Sequence, residues 1–127
     1  MILASADLER LYTGLSLLVS AAAEGRDARG LATFGALDAL TDDNLEQRAL
    51  DPAATPHLDG AGRAVFARSL VELRDTAAAH ASCRIHACSA AAQTTGVTAE
   101  RIGARLDGVI STPRFLREFA EAELVVV

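Results

Sequence analysis

Two long segments of the chain repeat hydrophobic residues every three or four positions. The first follows the polar turn Ser5–Asp7 and ends at Gly25, and the second covers residues 61–80. The apolar positions of the first segment are Leu8, Leu11, Tyr12, Leu15, Leu18, Val19 and Ala22, and those of the second are Phe66, Leu70, Leu73 and Ala77. This spacing matches the period of an α-helix, so it predicts two long helices with buried faces.

Short apolar runs separate the helical segments and predict strands. They cover residues 1–4, 28–34, 83–88, 109–110 and 124–127, with shorter helices at 36–50, after Thr98 and after Thr112. Strands that alternate with helices indicate an α/β fold with a mostly parallel sheet of about five strands and helices on both faces. The β-branched run 124–127 is expected to be a buried strand. Residues 51–60 contain two of the three prolines and are predicted to form a loop.

The composition limits the classes of function. At 127 residues, half of them hydrophobic and 23% charged, the chain is expected to be a single domain, 1–127. The net charge of −5 argues against a nucleic-acid partner and against binding to an anionic membrane surface. No segment has the pattern of a membrane span or a signal peptide. Two cysteines without an export signal then predict free thiols and a cytoplasmic location.

The segment 82–97 carries the most distinctive chemistry in the sequence. Its first half is a predicted strand that ends at Cys88, and its second half is a small-residue helix that stops at Gly96. A cysteine at such a junction lies beside unpaired backbone N–H groups and the positive end of a helix dipole. Both favour the reactive thiolate. The other interpretation is that Cys88 is a small buried hydrophobic residue, and this pattern leaves both open.

Other histidines and cysteines lie close by, but their spacing does not favour a metal site. In a strand, His86 and Cys88 point to one face and Cys83 to the other, while His80 belongs to the preceding helix. Cys83 and Cys88 are separated by about 16 Å of extended chain, too far for a disulfide. Cys83 is expected to pack in the core, and His86 to be a hydrogen-bonded core residue rather than a base. With no phosphate-binding glycine motif, no cofactor is expected.

Several of these segments resemble the DsrE-like family of sulfur-relay proteins. The similar stretches are Ile2–Tyr12, the strand end Thr33-Phe34-Gly35, and Arg84–Ser89 followed by Gly96-Val97. The resemblance implies a flavodoxin-like parallel sheet, a homo-oligomer, and a cysteine, matched here by Cys88, that carries sulfur as a persulfide between donor and acceptor proteins. Other branches of the family are called peroxiredoxin-like and have no settled activity. Ala6 replaces a glycine, His86 replaces a common aromatic residue, and residues 50–60 resemble an insertion.

We therefore expect a small sulfur carrier of the sulfurtransferase type, in which Cys88 is the catalytic residue. The residues expected to form the binding pocket near it are Ser5, Asp7, Phe34, Gly35 and Ser89. Two other functions fit the same residues: a non-catalytic oligomeric ligand-binding module, or a thiol redox sensor in which Cys88 forms a sulfenic acid. The first predicted helix is apolar around most of its circumference, so a dimer, trimer or hexamer is expected.

Overall fold

The computed structural model describes residues 1–127 and has a four-stranded sheet in which every strand pair is parallel. The strands are β1 (Ile2–Leu3), β2 (Ala28–Ala32), β3 (Cys83–Cys88) and β4 (Val109–Ile110), and they lie in the order β1-β2-β3-β4. The predicted α/β class is confirmed, and the arrangement is consistent with a flavodoxin-like three-layer sandwich.

Seven helices connect or follow these strands. They are α1 (Leu8–Ala23), α2 (Phe34–Leu40), α3 (Leu45–Leu50), α4 (Gly60–Ala79), α5 (Ser89–Thr95), α6 (Ala99–Arg105) and α7 (Thr112–Glu118). The two long helices predicted from hydrophobic spacing are α1 and α4. The predicted loop 51–60 consists of turns up to the N-cap of α4 at Asp59. No helix is sufficiently long and apolar to cross a membrane.

Polar side chains and glycines set the helix ends largely as predicted. The carboxylate of Asp7 accepts hydrogen bonds from the N–H groups of the first turn of α1, and the Thr98 hydroxyl caps α6 in the same way. Gly96 ends α5 in the left-handed conformation, with φ 71°. Thr41 is the C-cap of α2. The helix α3 begins after Asn44, whereas the Thr41 hydroxyl donates back to Leu37 within the core.

The two faces of the sheet are covered by different helices. Gly30 of β2 faces α1, where a side chain at this position would meet Leu18 and Ile85. Arg29, the residue before Gly30, points to the opposite face of the sheet. There its guanidinium lies 5.6 Å from the ring of Phe119, which comes just after α7. The helices α1 and α4 pack together on the first face. The fully buried side chains are mostly leucines, as the low aromatic content requires.

The C-terminal segment differs from the prediction in its burial. Residues 125–127 pair with β1 through three hydrogen bonds: Ile2 N–H to Val125 O, Val127 N–H to Ile2 O, and Ala4 N–H to Val127 O. The segment forms only an isolated parallel bridge, so the sheet has four strands rather than about five. It is not buried, because it lies outside β1 at the sheet edge; Leu124 and Val126 are 56% and 60% exposed. From β1 to β4 each strand lies beside the one before it, in a single direction across the sheet. Only the C-terminal segment returns to the other side of β1.

On the opposite side of the sheet, a side chain pairs with the part of β3 that has no neighbouring strand. The strand β4 pairs with only the last two residues of β3, which leaves the first part of β3 without a neighbouring strand. Asp107 compensates for this: its carboxylate accepts from the N–H of Ile85 at 2.8 Å, and its own N–H donates to the carbonyl of Ile85 at 2.8 Å. Both main-chain groups of Ile85 on this side are therefore satisfied.

Candidate functional site

All the predicted site residues lie where the first three strands end. The turn Ser5–Asp7 follows β1, Phe34 and Gly35 follow β2 and Thr33, and Ser89 follows Cys88 at the end of β3. Because β1, β2 and β3 are parallel neighbours, their carboxyl ends meet at one edge of the sheet. Ligand sites of open parallel sheets lie at this edge, at the point where the strand order reverses, which in this sheet is beside β1 and the Ser5–Asp7 turn.

Cys88 is both the last residue of β3 and the N-cap of α5. Its backbone remains extended, at φ −66° and ψ 126°, so the thiol lies beside the first turn of the helix. Burial by itself would raise the pKa of the Cys88 thiol. The N–H of Ala91, the hydroxyl of Thr112 and the N–H of Ala90 outweigh burial, and the pKa is lowered overall. The junction therefore favours the thiolate, as the sequence predicted.

Thr112 is a contact of Cys88 that the sequence analysis did not identify. Its Oγ1 lies 3.5 Å from the Cys88 Sγ. The contact arises because Cys88 pairs with Ile110 of β4, and Thr112 begins α7 two residues later, at the same edge of the sheet. In the sequence, Thr112 is a hydroxyl residue two positions after the predicted strand 109–110, and its position beside Cys88 depends on the pairing of β4 with β3.

Cys83 has the opposite chemical character. It begins β3, is 2% exposed, and has a pKa raised to about 11, chiefly by burial and secondly by the negative charge of Asp107. Both cysteines are free thiols. Cys83 belongs to the apolar core, as predicted, and is therefore poorly suited to nucleophilic chemistry. Cys88 is also buried, at 5% exposed, and belongs to the same core cluster, so the two cysteines differ in the polar groups around their sulfur rather than in burial.

His86 lies two residues before Cys88 on the same face of β3, yet no hydrogen bond joins the two side chains. The Nδ1 atom of His86 is buried and has no hydrogen-bond partner, so the expectation of a hydrogen-bonded core histidine is wrong. Burial lowers the pKa of His86, which keeps the ring neutral at neutral pH. Activation of Cys88 therefore comes from backbone N–H groups and a hydroxyl rather than from a histidine base.

The turns after β1 and β2 touch each other. An added Cβ at Gly35 would lie only 2.4 Å from the Cβ of Ala6, so this close approach requires glycine. The Ser5 hydroxyl accepts from the N–H of Asp7, and the Asp7 carboxylate caps α1. These polar groups serve the turn itself, and neither forms a hydrogen bond with Cys88.

Phe34 stands out at the same edge. It is the only residue other than glycine with a positive φ, at 38°, a backbone conformation that is strained for an aromatic residue. Its side chain is nevertheless 51% exposed, so burial does not explain the strain. Strained residues of this kind cluster at binding and active sites. Phe34 thus offers an apolar contact at the sheet edge that carries Cys88.

A large groove lies at the other end of the sheet. Its volume is about 700 Å³, and Met1, Ala28, Phe115, Phe119 and Leu124 are among the residues that line it. Because it includes the start of β2 and the end of α7, it is separate from the edge that carries Cys88. No three His, Cys, Asp or Glu side chains lie close enough to share a metal ion.

Neither the comparison with protein-family models nor the comparison with curated proteins finds a match to this chain. The resemblance to DsrE-like proteins therefore rests on short sequence segments alone.

Proposed function

We propose that the protein is a sulfur carrier that holds sulfane sulfur as a persulfide on Cys88. The Cys88 thiolate attacks the outer sulfur of a donor persulfide, R–S–SH. A new S–S bond forms, the donor's S–S bond breaks, and the donor leaves as the thiolate R–S⁻. The acceptor's thiolate then removes the outer sulfur from Cys88 by the same exchange. No net oxidation occurs in either step, so no cofactor is needed.

The observation that carries this proposal is the environment of the Cys88 sulfur. Two backbone N–H groups and the Thr112 hydroxyl lower its pKa despite burial, which favours the thiolate, the form that attacks sulfur. The same donors would stabilise the negative charge of a bound persulfide. A monothiol is sufficient for this exchange, and the chain has no second thiol nearby because Cys83 starts the strand in the core.

The partners of this reaction are proteins that bear thiols or persulfides. Phe34 is exposed beside the site and would contact them, with Gly35 and the Ser5–Asp7 turn forming the rest of that surface. We further propose that the chain is a homo-oligomer, because α1 exposes Leu17 and the C-terminal segment exposes Leu124 and Val126. A reducing, cytoplasmic setting would keep both thiols free.

The test is intact-mass spectrometry after incubation with a low-molecular-weight persulfide and removal of the excess. The wild type is expected to gain one sulfur atom, which a reductant removes, and Cys83→Ser to gain it as well. Cys88→Ser should gain none. Addition of oxygen with hydrogen peroxide but no stable addition of sulfur would favour the redox-sensor alternative. If Cys88 of the folded protein reacts with neither reagent, the ligand-binding module is the remaining interpretation.

A further inference from the structure

The outer edge of the sheet, beyond β1, has unsatisfied backbone groups. In the segment 125–127, the hydrogen bonds to β1 use the carbonyls of Val125 and Val127 and the N–H of Val127. The N–H and the carbonyl of Val126 point away from β1 and form no hydrogen bond. Val126 is also 60% exposed. This edge can accept another strand without rearrangement of the existing bonds.

Exposed apolar side chains surround the same edge. Leu17 of α1, Leu116 of α7, and Leu124 and Val125 of the C-terminal segment are all more than one third exposed. No charged residue or proline interrupts residues 124–127. Soluble proteins normally protect sheet edges with charges, prolines or bulges, so an apolar and unprotected edge indicates a covered surface.

We infer that a second copy of this chain covers the edge, with the two C-terminal segments antiparallel about a two-fold axis near Val126. Two identical edges related by such an axis must run in opposite directions, and each Val126 then presents its N–H and carbonyl to the other copy. This inference rests on the proposed self-association and names its surface. It is independent of the sulfur chemistry proposed for Cys88.

The charges at the two ends of the edge fit this antiparallel arrangement. Arg10 lines a small surface depression together with Val126 and Val127, at the top of the segment, and Glu9, which also lines it, lies 3.1 Å from the Nε2 atom of His57. Glu123 lies before the segment, at its lower end. Both side chains belong to exposed residues, and neither forms a salt bridge within the chain. An antiparallel partner places Glu123 of each copy near Arg10 of the other, whereas a parallel partner would bring like charges together.

The first experiment measures molecular mass by sedimentation and light scattering. Protein concentrations of about 1–100 µM cover the range in which a dimer of micromolar affinity would dissociate. The wild type is expected at twice the 13.2 kDa chain mass. Val126→Pro removes the outward N–H but none of the bonds to β1, so it should yield a folded monomer, with folding checked by circular dichroism. Val126→Asp should also yield a monomer, and Val65→Asp, on a 54% exposed valine of α4, is the matched control that stays dimeric.

The second experiment tests the orientation by charge reversal. Arg10→Glu and Glu123→Arg should each raise the dimer dissociation constant by roughly tenfold or more, and the double variant should restore most of the affinity. A dimer that persists in Val126→Pro and Val126→Asp overturns this surface while self-association stands. Self-association is overturned if the wild type is a monomer. It is also overturned if the Val126 edge binds an added valine-rich peptide but not a second copy of the chain. Persulfide loading of Cys88, measured on the same samples, is unaffected by any of these outcomes.

Discussion

Cys83 and Cys88 lie at the two ends of one strand, and their thiols have opposite acidities. Burial raises the pKa of Cys83 to about 11, whereas the backbone N–H groups after Cys88 and the Thr112 hydroxyl lower the pKa of Cys88. We therefore expect a thiol-directed alkylating reagent to modify Cys88 first in the folded protein. Peptide mapping of wild type, Cys83→Ser and Cys88→Ser distinguishes the two sites. Labelling of Cys83 before Cys88, or of neither until denaturant is added, would make Cys88 a packing residue.

The Thr112 hydroxyl is expected to act on Cys88 through its contact with Sγ. Thr112→Val keeps the shape of the side chain but removes the hydroxyl, so the pKa of Cys88 should rise. Alkylation at pH 7 should then slow by about threefold to tenfold. Thr112→Ser retains the hydroxyl and is the matched control. The measurement is the pH dependence of the alkylation rate, and an unchanged midpoint in Thr112→Val would exclude the effect.

The strain at Phe34 predicts an unusual order of stabilities. Glycine adopts a positive φ without cost, whereas alanine does not, so Phe34→Gly should be more stable than Phe34→Ala by about 1 kcal/mol. Urea unfolding of the two variants measures this difference. In ordinary helical or extended backbone the order would be reversed. If Phe34 contacts a sulfur donor, both variants should lose transfer from a protein persulfide while keeping transfer from a small persulfide.

The buried thiol of Cys83 predicts how stability changes with alkaline pH. The ordinary pKa is 9.0, and the folded-state pKa of Cys83 is about 11. Below pH 9 both states keep the proton. Between pH 9 and 11 only the unfolded state loses it, so the free energy of unfolding should fall by about 2 kcal/mol over that range. The lowered pKa of Cys88 acts with the opposite sign, because it adds stability as the pH rises towards the ordinary value of 9.0, and it is present in both the wild type and a Cys83 variant.

The control for this pH effect is Cys83→Ala. The chain contains no lysine, so few other groups ionise in this range, and Tyr12 is common to both proteins. Chemical denaturation at about pH 8, 9, 10 and 11 covers the interval between the ordinary thiol pKa of 9.0 and the Cys83 pKa of about 11. The free energy of unfolding should fall more steeply with pH for the wild type than for Cys83→Ala. Parallel curves for the two proteins would mean that the thiol is not protected from ionisation in the folded state.

Much of the fold follows from hydrophobic spacing, because α1, α4 and β3 bury faces whose periods are visible in the sequence. The position of Cys88 at a strand-to-helix junction could be predicted for the same reason. Its contact with Thr112 could not, since it depends on β4 pairing with β3. The burial of residues 124–127 was also mispredicted: an apolar run indicates that a surface will be covered, but not whether the same chain covers it.

The hydrogen bonds between Asp107 and Ile85 shorten the open part of the sheet on the β3 side. The carboxylate accepts from the Ile85 N–H where β3 has no neighbouring strand, and only the two-residue strand β4 lies outside the end of β3. Replacing Asp107 by a residue without an acceptor would leave the Ile85 N–H without its partner and lengthen the unpaired edge. Such a variant would be more prone to pair with a further strand, so a single carboxylate limits how much of this side of the sheet can be extended.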